Sequence, residues 1–302
     1  MSNNTDKPQV AFVGIGLMGL PMASLLVKAG YPLRAWNRTR EKALPLAGLG
    51  AVVPETLEEA VTGADIVITM LEAGPVVKAV VESMLPFLTA GALVIDMSST
   101  KQSEAIDLDR MLSPKQVKFM DAPVSGGVVG AAAGTLAIMA GGDQASFKRV
   151  EPLFKVMGRP TLVGSVGSGQ IAKLCNQLIV GGTVAIVAEA MLLAQAGGAD
   201  PAAMRQAIRG GFAESRILEL HGQRMLDRDF KPGGQIKSQA KDHVNIMAAA
   251  ADAGLQIPLT AMVADLFNGL LEDYATADQA AALLAIEKLN KGIRLGTAED
   301  KF

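Results

Sequence analysis

Lys173 and Asn176 stand three residues apart in a stretch that is otherwise almost unbroken Ile, Val, Ala, Leu and Met. On a helix that spacing puts both on one face, where adjacent turns reach one point. A lysine buried in such a helix is costly unless it has a partner or a task. Two readings stand: a functional ammonium group, or a side chain that snorkels near a helix start. Cys175, two residues from Lys173, faces roughly the opposite way and reads as a small core residue.

Three further clusters can do chemistry. Gly14-Ile15-Gly16-Leu17-Met18-Gly19 follows a short apolar strand and opens a helical pattern, which is the strand, turn and helix of a dinucleotide site. There Gly14 permits the tight turn, Gly16 lets backbone approach a pyrophosphate, and Gly19 lets helix and strand pack closely, with the helix N-terminus facing the anion. Asn37-Arg38-Thr39 ends the second strand, where NAD-binding proteins place a carboxylate against the ribose hydroxyls. Without that charge, Arg38 with Asn37 and Thr39 suits the 2′-phosphate of NADP, since guanidinium binds phosphate oxygens in a fork; an ordinary polar turn is the plainer alternative. Asp121-Ala122-Pro123-Val124-Ser125-Gly126-Gly127 exposes consecutive N–H groups with little steric cover, which suits a carboxylate, or makes a structural turn.

These clusters need a scaffold to bring them together. Strand-like runs at Gln9 to Val13, Leu33 to Trp36, Ile66 to Met70, Leu93 to Ile95, Val117 to Met120 and Leu136 to Met139 alternate with helical or turn-rich segments. That rhythm predicts a largely parallel doubly wound sheet whose function-bearing loops follow the strand ends. Met70 and Leu71 after the third strand and Ser99 after the fourth are then cofactor candidates, while Ser98, Ser99 and Thr100 can equally cap the next helix. From Ser168 to Ala196 no proline intervenes, so one helix of roughly 40 Å is allowed at about 1.5 Å per residue. Its apolarity predicts burial on several sides. Beyond it the pattern is helical only, near Pro201 to Arg209, Ser215 to Met225, Gly234 to Ala253, Leu259 to Gly269 and Asp278 to Leu289. The organisation expected is a flexible N-terminus (1–8), an α/β Rossmann-type domain (9–165), and a long interdomain helix with an all-helical C-terminal domain (166–302). Lys241-Asp242-His243 lies in that last part, as a second lysine for the site or as a solvated helix face.

Composition sets the bounds. Half of the 302 residues are hydrophobic, and 28 basic against 30 acidic residues nearly cancel without any basic block. Neither nucleic acid nor an anionic membrane is favoured as partner. One cysteine excludes an internal disulfide, and two histidines leave no Cys/His cluster of metal-site spacing, so metal-free chemistry is expected. No signal-peptide core opens the chain, and the longest apolar run carries Lys173, Asn176 and Glu189, so a soluble cytoplasmic protein is expected.

Taken together the motifs resemble the β-hydroxyacid dehydrogenase family over nearly the whole chain. The resemblance rests on Phe12 to Ala23, Asp121 to Gly127, Gly134-Thr135-Leu136 with Gly141-Gly142, Gly169 to Lys173 with Asn176, and Lys241-Asp242. It implies NADP (NAD being possible), a small carboxylate substrate and a homodimer or homotetramer. It also makes Lys173 the catalytic acid and base, Ser125, Gly126 and Gly127 the carboxylate loop, and Asn176 a substrate contact. Lys241 would stand near nicotinamide and substrate, supported by Asp242. Ala207 to Gly211 with Ser215, and Asp229 to Gly233, look most similar to the tartronate semialdehyde (2-hydroxy-3-oxopropionate) reductase branch. The Ser125 to Leu136 loop looks equally like the 3-hydroxyisobutyrate branch, and glyoxylate and succinic semialdehyde reductases belong to the same family. Three residues depart from the pattern: Gln177 where a second asparagine is common, Gly234 where many members have an aromatic, and His243 where leucine usually follows Lys-Asp. Imine reductases share the fold but typically lack this lysine. A catalytically silent dinucleotide-binding interaction module would also usually have lost it.

Overall fold

Short runs rich in Val, Ile, Leu and Ala, too short for helices, supply most strands of the first half of the chain, and three of them are buried end to end. In the computed structural model, which describes residues 7–302, these are β1 (Val10–Val13), β2 (Leu33–Trp36), β3 (Ile66–Thr69), β4 (Leu93–Asp96), β5 (Lys118–Asp121), β6 (Val124–Ser125), β7 (Leu136–Gly141) and β8 (Gly158–Gly164). Residues 1–6 of the segment expected to be flexible lie outside the described residues. The strand order is β2-β1-β3-β4-β5-β7-β6, with β8 paired to β7. β1 to β5 are mutually parallel, whereas β7 runs antiparallel to β5 and β6. The sheet is therefore parallel in its body and mixed at one edge, as α/β sheets often are. β6 and β8 were not expected from sequence: two residues are too few to show a period, and β8 carries Pro160 between glycine ends.

Helices cover both faces. They are α1 (Gly19–Lys28), α2 (Leu44–Ala47), α3 (Leu57–Val61), α4 (Gly74–Met84), α5 (Gln102–Leu112), α6 (Gly127–Ala133) and α7 (Gln144–Met157). Alternate residues of one strand enter opposite cores, since successive side chains point to opposite faces. Val10 and Phe12 pack with Met22 and Leu26 of α1 and Phe154 of α7, while Ala11 and Val13 pack with Val77 and Val81 of α4 and Leu108 of α5.

The chain divides into two compact units, Met1–Lys173 and Leu174–Phe302. The second unit is helical: α8 (Ser168–Ala196), which begins before the division, then α9 (Pro201–Ile208), α10 (Arg216–Asp227), α11 (Ile236–Asp252), α12 (Pro258–Asn268), α13 (Leu271–Tyr274) and α14 (Ala282–Leu289). Its core joins Val184, Ala188 and Met191 of α8 to Met225, Phe230, Ile236, Phe267 and Leu283.

α8 corrects two expectations. By length and composition it could cross a membrane, with a mean hydropathy of 1.9, yet only 39 % of that window is buried. Ile179, Ile186 and Leu193 are 64 %, 65 % and 74 % exposed, and Cys175, read as a core residue, is exposed in the same row. Spacings of four and seven residues line these side chains along one stripe. An apolar sequence reports only that a face avoids water, and here one face of the helix is left uncovered by this chain.

Candidate active site

The glycine loop lies where β1 is flanked by β2 and β3, the reversal point of an open α/β sheet at which ligands bind. Gly14 and Gly19 each have a structural reason within the chain. Gly14 adopts φ +104, and a Cβ there would lie 2.3 Å from Met70 O. A Cβ on Gly19 would lie 2.0 Å from Gly14 O, so the helix start and the strand end touch through glycine. Gly16 has nothing within 4 Å of a notional Cβ. No side chain caps α1, which leaves first-turn N–H groups of that helix facing outward for an anion. Beside the loop is a cavity of about 720 Å³ whose lining includes Ile15, Gly16, Leu17, Lys28 and Lys42, within the usual size of a ligand cleft.

Asn37 proves to be part of the loop's construction. Its Oδ1 accepts from Ile15 N at 3.0 Å and its Nδ2 donates to Thr39 O at 2.8 Å, so one amide ties the turn after β1 to the turn after β2. Arg38 and Thr39 are exposed. Lys42, four residues on in a short 3-10 turn (Arg40–Lys42), was not singled out from sequence, and Thr39 between them is extended, so no helical spacing linked it to Arg38.

Met70 and Leu71 close the far side of the loop. Met70 N donates to Val13 O at 2.9 Å, and Leu71 N donates to Ser98 Oγ at 2.9 Å. Ser98 and Thr100 are buried and do not cap α5; Lys101 precedes that helix, its N–H donating to Glu104 Oε2 at 2.8 Å. Ser99 lies between them, half-buried.

The loop from Asp121 ends β5 and re-enters the sheet through Ser125, which pairs with Ala137. Gly126 and Gly127 adopt φ +137 and +62, a pair of conformations that L side chains rarely adopt. α6 starts at Gly127 with no side-chain cap. At the other end of the loop the Asp121 carboxylate is fully buried and accepts from Gly167 N at 2.7 Å and Gln170 N at 2.8 Å. Burial pushes its carboxyl up to about 6, against the two N–H donors that favour the charged form. Gln170 is also fully buried; its Oε1 accepts from Thr100 N at 3.0 Å and its Nε2 donates to Ser98 O at 2.9 Å. Lys173, half-buried, follows on the second turn of α8, with Asn176 one turn beyond.

On α11, Lys241 pairs with Asp242 at 3.4 Å, and Gln177 Nε2 donates to Asp242 Oδ2 at 2.7 Å. Asn176 Nδ2 in turn donates to Gln177 Oε1 at 2.9 Å. The solvated face considered for Lys241-Asp242-His243 applies only to Lys241, because Asp242 and His243 are buried. His243 stacks on Phe267 with ring centroids 5.4 Å apart and donates from Nδ1 to Gln239 O at 2.9 Å. Burial holds its imidazole below the ordinary value. Among the described residues there is no metal-ligating group of three or more His, Cys, Asp or Glu.

With this geometry in view, comparison with known proteins is specific. A family model described as the NAD binding domain of 6-phosphogluconate dehydrogenase matches residues 9–199, and one described as NAD-binding of NADP-dependent 3-hydroxyisobutyrate dehydrogenase matches residues 167–286. The chain is 40 % identical to 2-hydroxy-3-oxopropionate reductase of Escherichia coli (strain K12), covering 93 % of this chain and 99 % of that one. It is 35 % identical to a probable 3-hydroxyisobutyrate dehydrogenase-like protein of Arabidopsis thaliana, over 94 % of this chain and 87 % of the other. A solved Mycobacterium tuberculosis 3-hydroxyisobutyrate dehydrogenase with L-serine superposes with a TM-score of 0.85 at 31 % identity, covering 93 % and 99 % of the two chains.

Proposed function

Because the chain belongs to the β-hydroxyacid dehydrogenase family, as an NAD(P)-dependent oxidoreductase acting on CH–OH groups, we propose that it uses NADPH to reduce a short semialdehyde bearing a carboxylate. The substrate assigned is 2-hydroxy-3-oxopropionate, reduced to glycerate, as the name of the E. coli relative indicates for that protein. One observation carries the reading: Lys173 follows directly on a helix turn whose amides are bonded to Asp121, the residue that opens the Ser125-Gly126-Gly127 loop. The acid and the anion loop are thus fastened to one strand end.

The dinucleotide fits the glycine loop through the open space at Gly16 and the uncapped start of α1. Gly14, Ile15, Gly16, Leu17, Met18 and Gly19 would hold its pyrophosphate, Arg38 and Lys42 its 2′-phosphate, and Met70, Leu71 and Ser99 its nicotinamide half. When bound, it supplies the hydride. Gly126 and Gly127 N–H with the Ser125 hydroxyl hold the substrate carboxylate, which fixes the aldehyde relative to the helix. Lys173, protonated, hydrogen-bonds the carbonyl oxygen and gives its proton to the alkoxide as charge develops; in alcohol oxidation it takes that proton back. Asn176 and Lys241, the latter paired with Asp242, are the further residues assigned to the substrate.

The protein is read as cytoplasmic and as a homodimer or homotetramer, the exposed apolar row on α8 supporting the self-association. Purified protein assayed at 340 nm with NADPH against 2-hydroxy-3-oxopropionate, 3-hydroxyisobutyrate's semialdehyde, glyoxylate, succinic semialdehyde and a cyclic imine tests the assignment. Preference for an uncharged aldehyde over its carboxylate-bearing counterpart in kcat/KM would overturn the anion loop.

A further inference from the structure

We propose that Asp121 and Gln170 are positioning residues for Lys173: their buried side chains clamp the first turn of α8 onto the ends of β4 and β5 and thereby set where the Lys173 ammonium stands relative to the carboxylate loop. The proposal rests on the reading of Lys173 as the catalytic acid.

Four hydrogen bonds make the clamp. Asp121 takes N–H donors from either side of the helix start, Gly167 at 2.7 Å and Gln170 at 2.8 Å, one on each carboxylate oxygen. Gln170 then uses both ends of its amide on the β4 loop, at Thr100 N and Ser98 O. Every partner is a backbone group, so the clamp joins three pieces of main chain rather than two mobile side chains. Both residues are 0 % exposed, which keeps them from touching substrate and confines them to acting through the helix.

Glycines are placed to let this contact close. A Cβ on Gly141 of β7 would lie 2.6 Å from Asp121 Oδ1 and 2.7 Å from Gly169 N. A Cβ on Gly169 would lie 2.3 Å from Met139 O and 2.8 Å from Asp121 Oδ2. The helix start is thus pressed against two strands with no side chain between. Lys173 comes three residues after Gln170, about 4.5 Å further along the axis, so any shift of the clamped turn carries the lysine with it. A misplacement of about 1 Å at a reacting group can cost on the order of a hundredfold in rate.

The test uses D121N, Q170M and K173A, and the double variants D121N/K173A and Q170M/K173A, in the full-length protein. In D121N an NH2 must face one of the two N–H donors, so at least one clamp bond is lost; Q170M keeps the volume and removes both amide bonds. Expected are kcat losses on the order of ten- to a hundredfold in D121N and Q170M, NADPH Kd within about threefold of native, and faster amide exchange at Gly167 and Thr100 in the protein without ligand. In the K173A background the additional kcat loss should shrink to within about twofold, because there is no lysine left to misplace. If D121N does not fold, Q170M carries the same comparison. Equal losses with and without Lys173, or native kcat in Q170M despite faster exchange, would overturn the positioning role alone. Near-native turnover of K173A would sink the assignment of Lys173 and this proposal with it, and that single variant shows the difference.

Discussion

The cofactor preference turns on Asn37 and Arg38, and two substitutions test it with opposite signs. Asn37→Asp puts a carboxylate at the end of β2 without dismantling the loop, because the oxygen that accepts from Ile15 N at 3.0 Å is retained. The bond from Nδ2 to Thr39 O at 2.8 Å is lost, a neutral hydrogen bond worth about 1 kcal/mol, or a Tm shift of roughly 2 to 4 °C in a chain of this size. Against that small structural cost stands the charge. A new carboxylate roughly 6 Å from a dianionic phosphate repels it by about 1.5 to 3 kcal/mol at an effective dielectric of roughly 40 to 80, a factor of about ten to a hundred in Kd. NADH lacks the phosphate and gains an acceptor for its ribose hydroxyls, so its affinity should hold or rise. Arg38→Ala removes a charge-assisted contact of about 1.5 to 3 kcal/mol from NADPH alone. Calorimetric Kd and kcat/KM for both cofactors in both variants, with Tm as control, measure the ratio. Arg38→Ala weakening both cofactors equally, or Asn37→Asp leaving the NADPH/NADH ratio within about twofold of native, refutes the argument.

Lys173→Ala should lower kcat by on the order of a hundredfold or more while NADPH Kd stays within about twofold, as for loss of a general acid; unchanged turnover would contradict the mechanism. Asp121 titrates at about 6, above the carboxylate range, so its contribution to stability is fully present below about pH 4 and is lost as pH rises through about 6. The stability of native protein minus that of D121N should therefore fall by up to ~3 kcal/mol between pH 4 and 7, measured by urea unfolding; a difference that is flat or grows would reverse the sign argued here. The pair partner Asp96, at the adjacent register position on β4, is also raised by burial and remains in both proteins. His243, held below its ordinary value by burial, loses stability for the fold as pH falls below about 6.5, where the unfolded chain takes up a proton first. His243→Leu should flatten the decline in Tm between pH 7 and 5, and an unchanged slope would show that His243 is not the group responsible.

What was legible in the sequence is what short range determines. The three central parallel strands declare themselves because each is a short, fully buried, mostly apolar run soon followed by glycine or polar residues. The close packing at Gly19 was readable from spacing, since Gly14 and Phe12, which crowd it, are near in sequence, whereas the atoms that exclude a side chain at Gly14 belong to Met70 and Leu71 at the end of another strand. The clamp on α8 was not. Asp121 reaches partners 46 and 49 residues away and Gln170 partners 70 and 72 away, and no period or propensity carries such pairings. Gln170 gave one unused signal, a polar side chain in an apolar helix start, which costs free energy unless its hydrogen bonds are met. Cys175 failed for a related reason: hydrophobic periodicity gives the faces of a helix but not how many of them one chain covers.

The three residues that depart from the family pattern each have a structural counterpart in this chain, and the counterparts explain why the departures coexist with an intact lysine and glycine loop. Gln177, longer by one methylene than asparagine, reaches Asp242 at 2.7 Å and also accepts from Asn176, so it links two residues assigned to substrate and support. His243 fits because position 181 is glycine: a Cβ there would lie 2.3 Å from His243 Cε1. Gly234 stands where a Cβ would meet Gln279 Nε2 at 2.8 Å, while its N–H donates to the buried Asp278 at 3.0 Å. An aromatic at 234 would have to displace Gln279, and leucine at 243 would leave the space beside Gly181 and the Gln239 carbonyl unmatched. Packing at native density couples such neighbours, so substitutions come in complementary sets. The departures therefore vary packing within the second unit, whereas Lys173 and the Ser125-Gly126-Gly127 loop, the proposed acid and anion site, lie in the first, beside the hydrogen bonds that the Asp121 and Gln170 side chains make to main chain.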